Sequence, residues 1–105
     1  MKAIKRKRLE ARGWAVGTAS DFLGLTDAES AIVDLRLGLA DNLKLLRQRS
    51  ALSQEQLARR LGSSQSRVAK MEAGDASVSI ELLLRALLHL GTTRQQLVRM
   101  ISRAA

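Results

Sequence analysis

A chain of 105 residues with no Cys, no Pro, one His and a formal net charge of +8 leaves few chemistries open. Disulfides, thiolate zinc sites and a cysteine nucleophile are excluded, and one His without Cys builds no familiar zinc site. The length suits one domain with a modest core, and the scarcity of aromatic residues (one Trp, one Phe, no Tyr) favours packed helices over a sheet.

The charge is unevenly distributed. Residues 1–13 hold six Lys/Arg and one Glu, residues 14–35 hold four acids and no Lys/Arg, and residues 36–105 hold twelve Lys/Arg and five acids. The basic second half suits a polyanionic partner. The basic start alone suits a solvated tail equally well. It is followed by no apolar h-region, and no apolar run approaches ~18 residues, so neither a signal peptide nor a membrane span is expected. The expected location is the cytoplasm.

Residues 2–12 contain good helix formers but few apolar positions, chiefly Ile4 and Leu9, and Gly13 stops any helix. Trp14, Ala15 and Val16 suit an extended segment, and Ser20 to Leu25 suit one turn with Phe22 and Leu23 inward. Residues 1–30 therefore form a basic-then-acidic extension to a domain at 31–105. Two readings stay open. The extension is a partly ordered arm packing Trp14 and Phe22 on the body, or it is a contact surface for a second chain, since both aromatics fall within it.

Thr26 to Glu29 is a capping box opening a long helix to about Arg49. Ile32, Leu35, Leu39, Leu43 and Leu46 recur at spacings of three and four, the stripe of a half-buried helix. Gly38 inside it costs roughly 1 kcal/mol relative to Ala and marks a bend or a close contact. Leu37 and Leu45 lie off the stripe and either widen the buried face or meet a partner.

The most informative stretch is Leu52 to Gly74, LSQEQLARRLGSSQSRVAKMEAG. Ser53 and Gln56 form a second capping box, Leu57, Ala58 and Leu61 make one apolar face, and Gly62 ends the helix. Ser64 caps the next helix, whose buried face is Val68 and Met71 and whose stop is Gly74. Two helices joined by so short a turn form a helix-turn-helix, with Ala58 small where they cross. Beyond a loop at Asp75 to Val78, Ser79 caps a helix through Leu90, with Ile80, Leu83, Leu84, Leu87 and Leu88 facing the core before Gly91. Thr93 and Gln96 cap a last helix of about 94–103, whose Leu97, Met100 and Ile101 form a small apolar face.

The segments SQEQLA and SQSRVAKMEAG resemble the Cro/CI-type (XRE family) helix-turn-helix domains of phage repressors and bacterial regulators. The resemblance covers about Asp34 to Ile101; Ser63 departs from it, an apolar residue being common there. It implies an all-α, five-helix, lambda repressor-like bundle, here with an N-terminal extension, and double-stranded DNA as the partner.

The first turn of a recognition helix points at base edges. This makes Gln65, Ser66, Arg67 and Lys70 the candidate base contacts. Gln bonds adenine N6/N7 and Arg or Lys bonds guanine O6/N7, a good pair giving ~1–3 kcal/mol of discrimination. Arg67 has a phosphate as its alternative target. Gln54, at a helix N-terminus, is a candidate phosphate contact, with Ser53 and Lys44 beside it. By resemblance, Gln54 also braces Gln65, and Arg47 pairs with Glu72 to orient the recognition helix. Arg59 and Arg60 are equally well read as solubilising or DNA-bound.

No enzyme is expected. His89 sits near a helix C-terminus where the dipole or packing accounts for it, and no Gly-rich loop follows a strand. No catalytic residue, metal site or cofactor is assigned. With only Trp14 and Phe22 to stack, single-strand recognition is disfavoured. The expected function is a dimeric repressor on a near-palindromic operator, its two recognition helices about 34 Å apart. Trp14, Phe22, Leu97, Met100 and Ile101 are the candidate dimer or partner contacts. No ligand-binding domain fits in this length, so control is expected through a partner, proteolysis or concentration. The extension resembles that of HigA-type antitoxins, which bind a small ribonuclease toxin and repress their own operon; the alternative is a stand-alone, phage-derived repressor without a toxin.

Overall fold

Each of the five described helices starts where a Ser or Thr oxygen takes up an otherwise unpaired backbone N–H. The structure, a computed structural model, describes residues 26–104, which form five helices and no strand. Helix α1 spans Asp27–Arg49, with Thr26 Oγ1 accepting from the Glu29 N–H at 3.1 Å. Helix α2 spans Gln54–Leu61, and both halves of the Ser53/Gln56 capping box are made, at 3.1 and 2.8 Å. Helices α3 (Gln65–Ala73) and α4 (Ile80–His89) begin at Ser64 and Ser79, which accept from Arg67 N and Leu82 N. Helix α5 (Arg94–Ala104) follows a second full capping box, Thr93 with Gln96. The domain boundary expected at residue 31 falls inside α1. The readings for Ile4, Leu9, Gly13, Trp14, Phe22 and Leu23 lie outside the described residues.

The stops are as local as the starts. Gly62 and Gly74 take φ of +65° and +66°, left-handed geometry that an L side chain adopts only with strain. A Cβ on Gly62 would meet nothing within 4 Å, so backbone conformation rather than space demands glycine there. The turn between α1 and α2 manages without one: Ala51 adopts φ +55°, held by Leu52 N–H to the Arg47 carbonyl at 3.1 Å.

Helix α1 is the spine, packing against α3, α4 and α5, while α2 packs on α3 and touches α4. Leu39, Leu43, Leu57, Val68, Met71, Leu83 and Leu87 are essentially solvent-free at the centre. Each such side chain is worth ~1.5–3 kcal/mol of burial. Ala58 is buried among them.

Two stripe assignments need correction. Ile32 is 45% exposed, and the buried residues at that end of α1 are Val33, Leu37 and Ala40. With neighbours packed on more than one flank, α1 buries a face wider than a single stripe, rotated towards Val33 and Leu37. Leu37 thus widens the buried face, whereas Leu45 remains 43% exposed. On α4, Leu88 is 50% exposed: successive residues turn ~100° on a helix, and Leu87, not Leu88, points into the core. On α5, Leu97 is buried, being spent on the monomer's own core. Met100 is half-buried against that core, and Ile101 with Val98 faces out.

Candidate nucleic-acid interface

Four side chains from three helices form one hydrogen-bonded chain ending at the start of α3. Arg47, near the end of α1, lays its guanidinium against the Glu72 carboxylate, with Nε on Oε2 at 2.5 Å and Nη2 on Oε1 at 3.0 Å. Its Nη1 donates to the Leu52 carbonyl at 2.8 Å, tying in the turn before α2. Glu72 Oε1 also accepts from Gln54 Nε2 at 3.1 Å, and Gln54 Oε1 accepts from Gln65 Nε2 at 2.6 Å. Helix α3 is thus gripped near both ends, by Glu72 at the last turn and Gln65 at the first.

The polarity of the chain follows from chemistry. A carboxylate only accepts, so Gln54 must turn its NH2 to Glu72 and its carbonyl to Gln65. Gln65 must then give an N–H to Gln54. This leaves the Gln65 Oε1 and its second N–H facing outward. The ion pair at the root is almost dry, with side-chain exposures of 12% for Arg47 and 2% for Glu72. Charge-assisted, bidentate bonds of this type are the strong class of hydrogen bond.

The exposed surface around Gln65 holds the other sequence candidates. Ser66, Arg67 and Lys70 are exposed, while Val68 and Met71 point inward. At ~100° per residue, Ser66, Lys70 and Ala73 share one face, and Arg67 stands on its flank. Gln54 is half-buried at the first position of α2, beside exposed Ser53, whose oxygen is engaged in the cap. Lys44 is exposed on α1. Arg59 and Arg60 are exposed on α2, and His89 is exposed at the end of α4.

Sequence spacing did not reveal everything that shapes this surface. The Gln54–Glu72 bond joins what the sequence offered as two separate pairs. Arg36 Nε donates to the Val78 carbonyl at 2.8 Å, anchoring the loop after α3 to α1 across 42 positions, with no local signal to announce it. In that loop Asp75 accepts from the Ser77 hydroxyl at 2.6 Å and the Ser77 N–H at 2.9 Å. These bonds, the hydroxyl first, lower the Asp75 carboxyl below its ordinary value, with smaller help from Lys70 and Arg36. Among the described residues no cluster of three metal-ligating side chains occurs, and no helix is long and apolar enough to cross a membrane.

Comparison with known proteins agrees with this geometry. Residues 39–100 match the family described as helix-turn-helix domain. No curated protein and no solved structure matches the chain. The matched span runs from the middle of α1 into α5 and includes the whole Arg47–Glu72–Gln54–Gln65 chain. With two helices joined through Gly62 and the second held at both ends, the chain belongs to the helix-turn-helix domain family, a DNA-binding class.

Proposed function

We infer that this protein is a sequence-specific transcriptional regulator, a repressor of the Cro/CI (XRE) type, reading the major groove of double-stranded DNA with α3. The observation that carries this is the pinned Gln65 amide. Its outward acceptor and donor match adenine, which presents N6–H and N7 side by side in the major groove. Ser66 and Lys70 share its exposed surface as further base contacts, Arg67 reaches a base or the adjoining phosphate, and Gln54, Ser53 and Lys44 hold the backbone. It is a binding protein rather than an enzyme, acting on the nucleoid in the cytoplasm.

One such helix reads too few base pairs to be selective alone, so the reading includes a symmetric dimer on a near-palindrome. Val98, 61% exposed, and Ile101, 39% exposed, place apolar surface on the outer face of α5 in support of that dimer. An antitoxin role rests on the resemblance of residues 1–30 to HigA-type extensions, with a small ribonuclease as the partner; a stand-alone repressor is its alternative. Co-purification of the full chain with the product of the adjacent gene separates the two, since a stand-alone repressor captures nothing.

Fluorescence anisotropy with duplex DNA tests the main reading. Binding that weakens steeply with salt, with a slope of about −0.9 per phosphate contacted, is expected. No binding to any duplex at moderate salt would overturn it.

A further inference from the structure

The last turns of α1 and the length of α5 enclose an open groove of about 250 Å³ on which three arginines converge. Arg49 comes from α1 and Arg99 and Arg103 from α5, and Leu45, Leu46 and Met100 line the groove with them, alongside Asn42, Thr92 and Gln96. All three arginines are exposed. Among the described residues none of them has an ion pair or hydrogen-bond partner for its side chain, and no acid lines the groove. The helix dipoles account for basic residues in the last turns of α1 and α5, but not for Arg99 or for the convergence. Thr92, 7% exposed, stands in the wall of the same groove. Its hydroxyl is the one buried side-chain polar atom, among the described residues, without a partner.

The groove opens away from the DNA-reading surface. Arg47 and Arg49 are two positions apart, ~200° around the helix. Since Arg47 points at Glu72 of α3, Arg49 points to the opposite side of α1. DNA on α3 leaves this groove, among the described residues, open to a separate partner. Three arginines beside Leu45, Leu46 and Met100 call for carboxylates and an aliphatic side chain together. A phosphate, free or in a duplex backbone, would leave Leu45 and Met100 uncovered, and a single strand would find no aromatic surface to stack on.

We propose that the α1/α5 groove is a docking site for an acidic, leucine-bearing peptide segment of a partner protein, its carboxylates held by Arg49, Arg99 and Arg103. The exclusion of DNA as the occupant rests on the reading of α3, whereas the peptide titration below does not. Docking there is compatible with bound DNA, so the partner joins the complex rather than displacing it.

A labelled peptide of repeated Glu-Glu-Leu units, titrated into the full chain, is the probe. Two controls are peptides with Gln in place of Glu and with Ser in place of Leu. The wild type is expected to bind the probe about tenfold or more tighter than either control. The triple variant Arg49→Gln, Arg99→Gln, Arg103→Gln loses that binding with helical content and melting temperature kept. The double variant Arg59→Gln, Arg60→Gln, which removes exposed charge elsewhere, retains it. Three results would each overturn the proposal: equal losses in both variants, equal binding of either control peptide, or displacement of the probe by inorganic phosphate at equimolar concentration.

Discussion

Gln65 and Glu72 sit in one hydrogen-bonded chain yet carry different loads, and substitution separates them. Glu72→Ala leaves the Arg47 guanidinium nearly buried without its carboxylate, a loss of ~3–5 kcal/mol in stability, and DNA affinity falls with it. Gln65→Ala removes an exposed side chain at the end of the chain, so affinity falls while the melting temperature holds. Thermal melts and duplex titrations of both variants check this, and equal melting temperatures would sink the division of roles. Asp75 gives a pH signature. Its folded pKa lies below the ordinary carboxylate value, so its contribution is fully present at neutral pH and is lost as acid takes the pH down through that lowered value. The gap in urea midpoint between wild type and Asp75→Ala should therefore be constant near neutrality and close below about pH 4. At this scale the sequence disclosed residue types and left their partners open. Arg47 with Glu72 and Gln54 with Gln65 followed from resemblance, but the bond joining the two pairs depends on how α2 and α3 pack. So does Arg36 reaching Val78.

Helix boundaries were legible because caps are local chemistry. The Ser53–Gln56 and Thr93–Gln96 boxes need only residues three apart, and both are made in full. Ser53→Ala should cost about 1 kcal/mol. Gly62→Ala, with space for the methyl but left-handed backbone, should cost ~1–2 kcal/mol from conformation alone. Chemical denaturation measures both, and a larger loss for Gly62→Ala would reveal a contact the backbone geometry does not show. Buried faces were less legible. Ile32 and Leu88 fit an i, i+3, i+4 pattern that also contains the true core, and only the positions of neighbouring helices decide which flank is covered. Leu97 illustrates the same limit from the other side, since an apolar residue on a terminal helix looks alike whether it packs inward or awaits a partner. Ala51 shows a third: a left-handed turn imposed by α1 and α2 on a residue that does not advertise it.

At the largest scale, the charge pattern and the five described helices fit a reader of DNA with apolar surface left over on α5. Val98→Asp with Ile101→Asp should give a monomer by light scattering with its melting temperature kept, because both side chains are exposed. Operator affinity should fall as the second half-site is lost; an unchanged dimer would move the interface elsewhere. The proposed function turns on α3 reading sequence. Selection of bound duplexes from a random pool by the full chain tests that most directly. Enrichment of a near-palindrome with half-sites about one helical turn apart, and loss of the preference for adenine at one position of each half-site in Gln65→Ala, is the predicted result. A pool that emerges without enrichment, or a preference that survives Gln65→Ala unchanged, would contradict it.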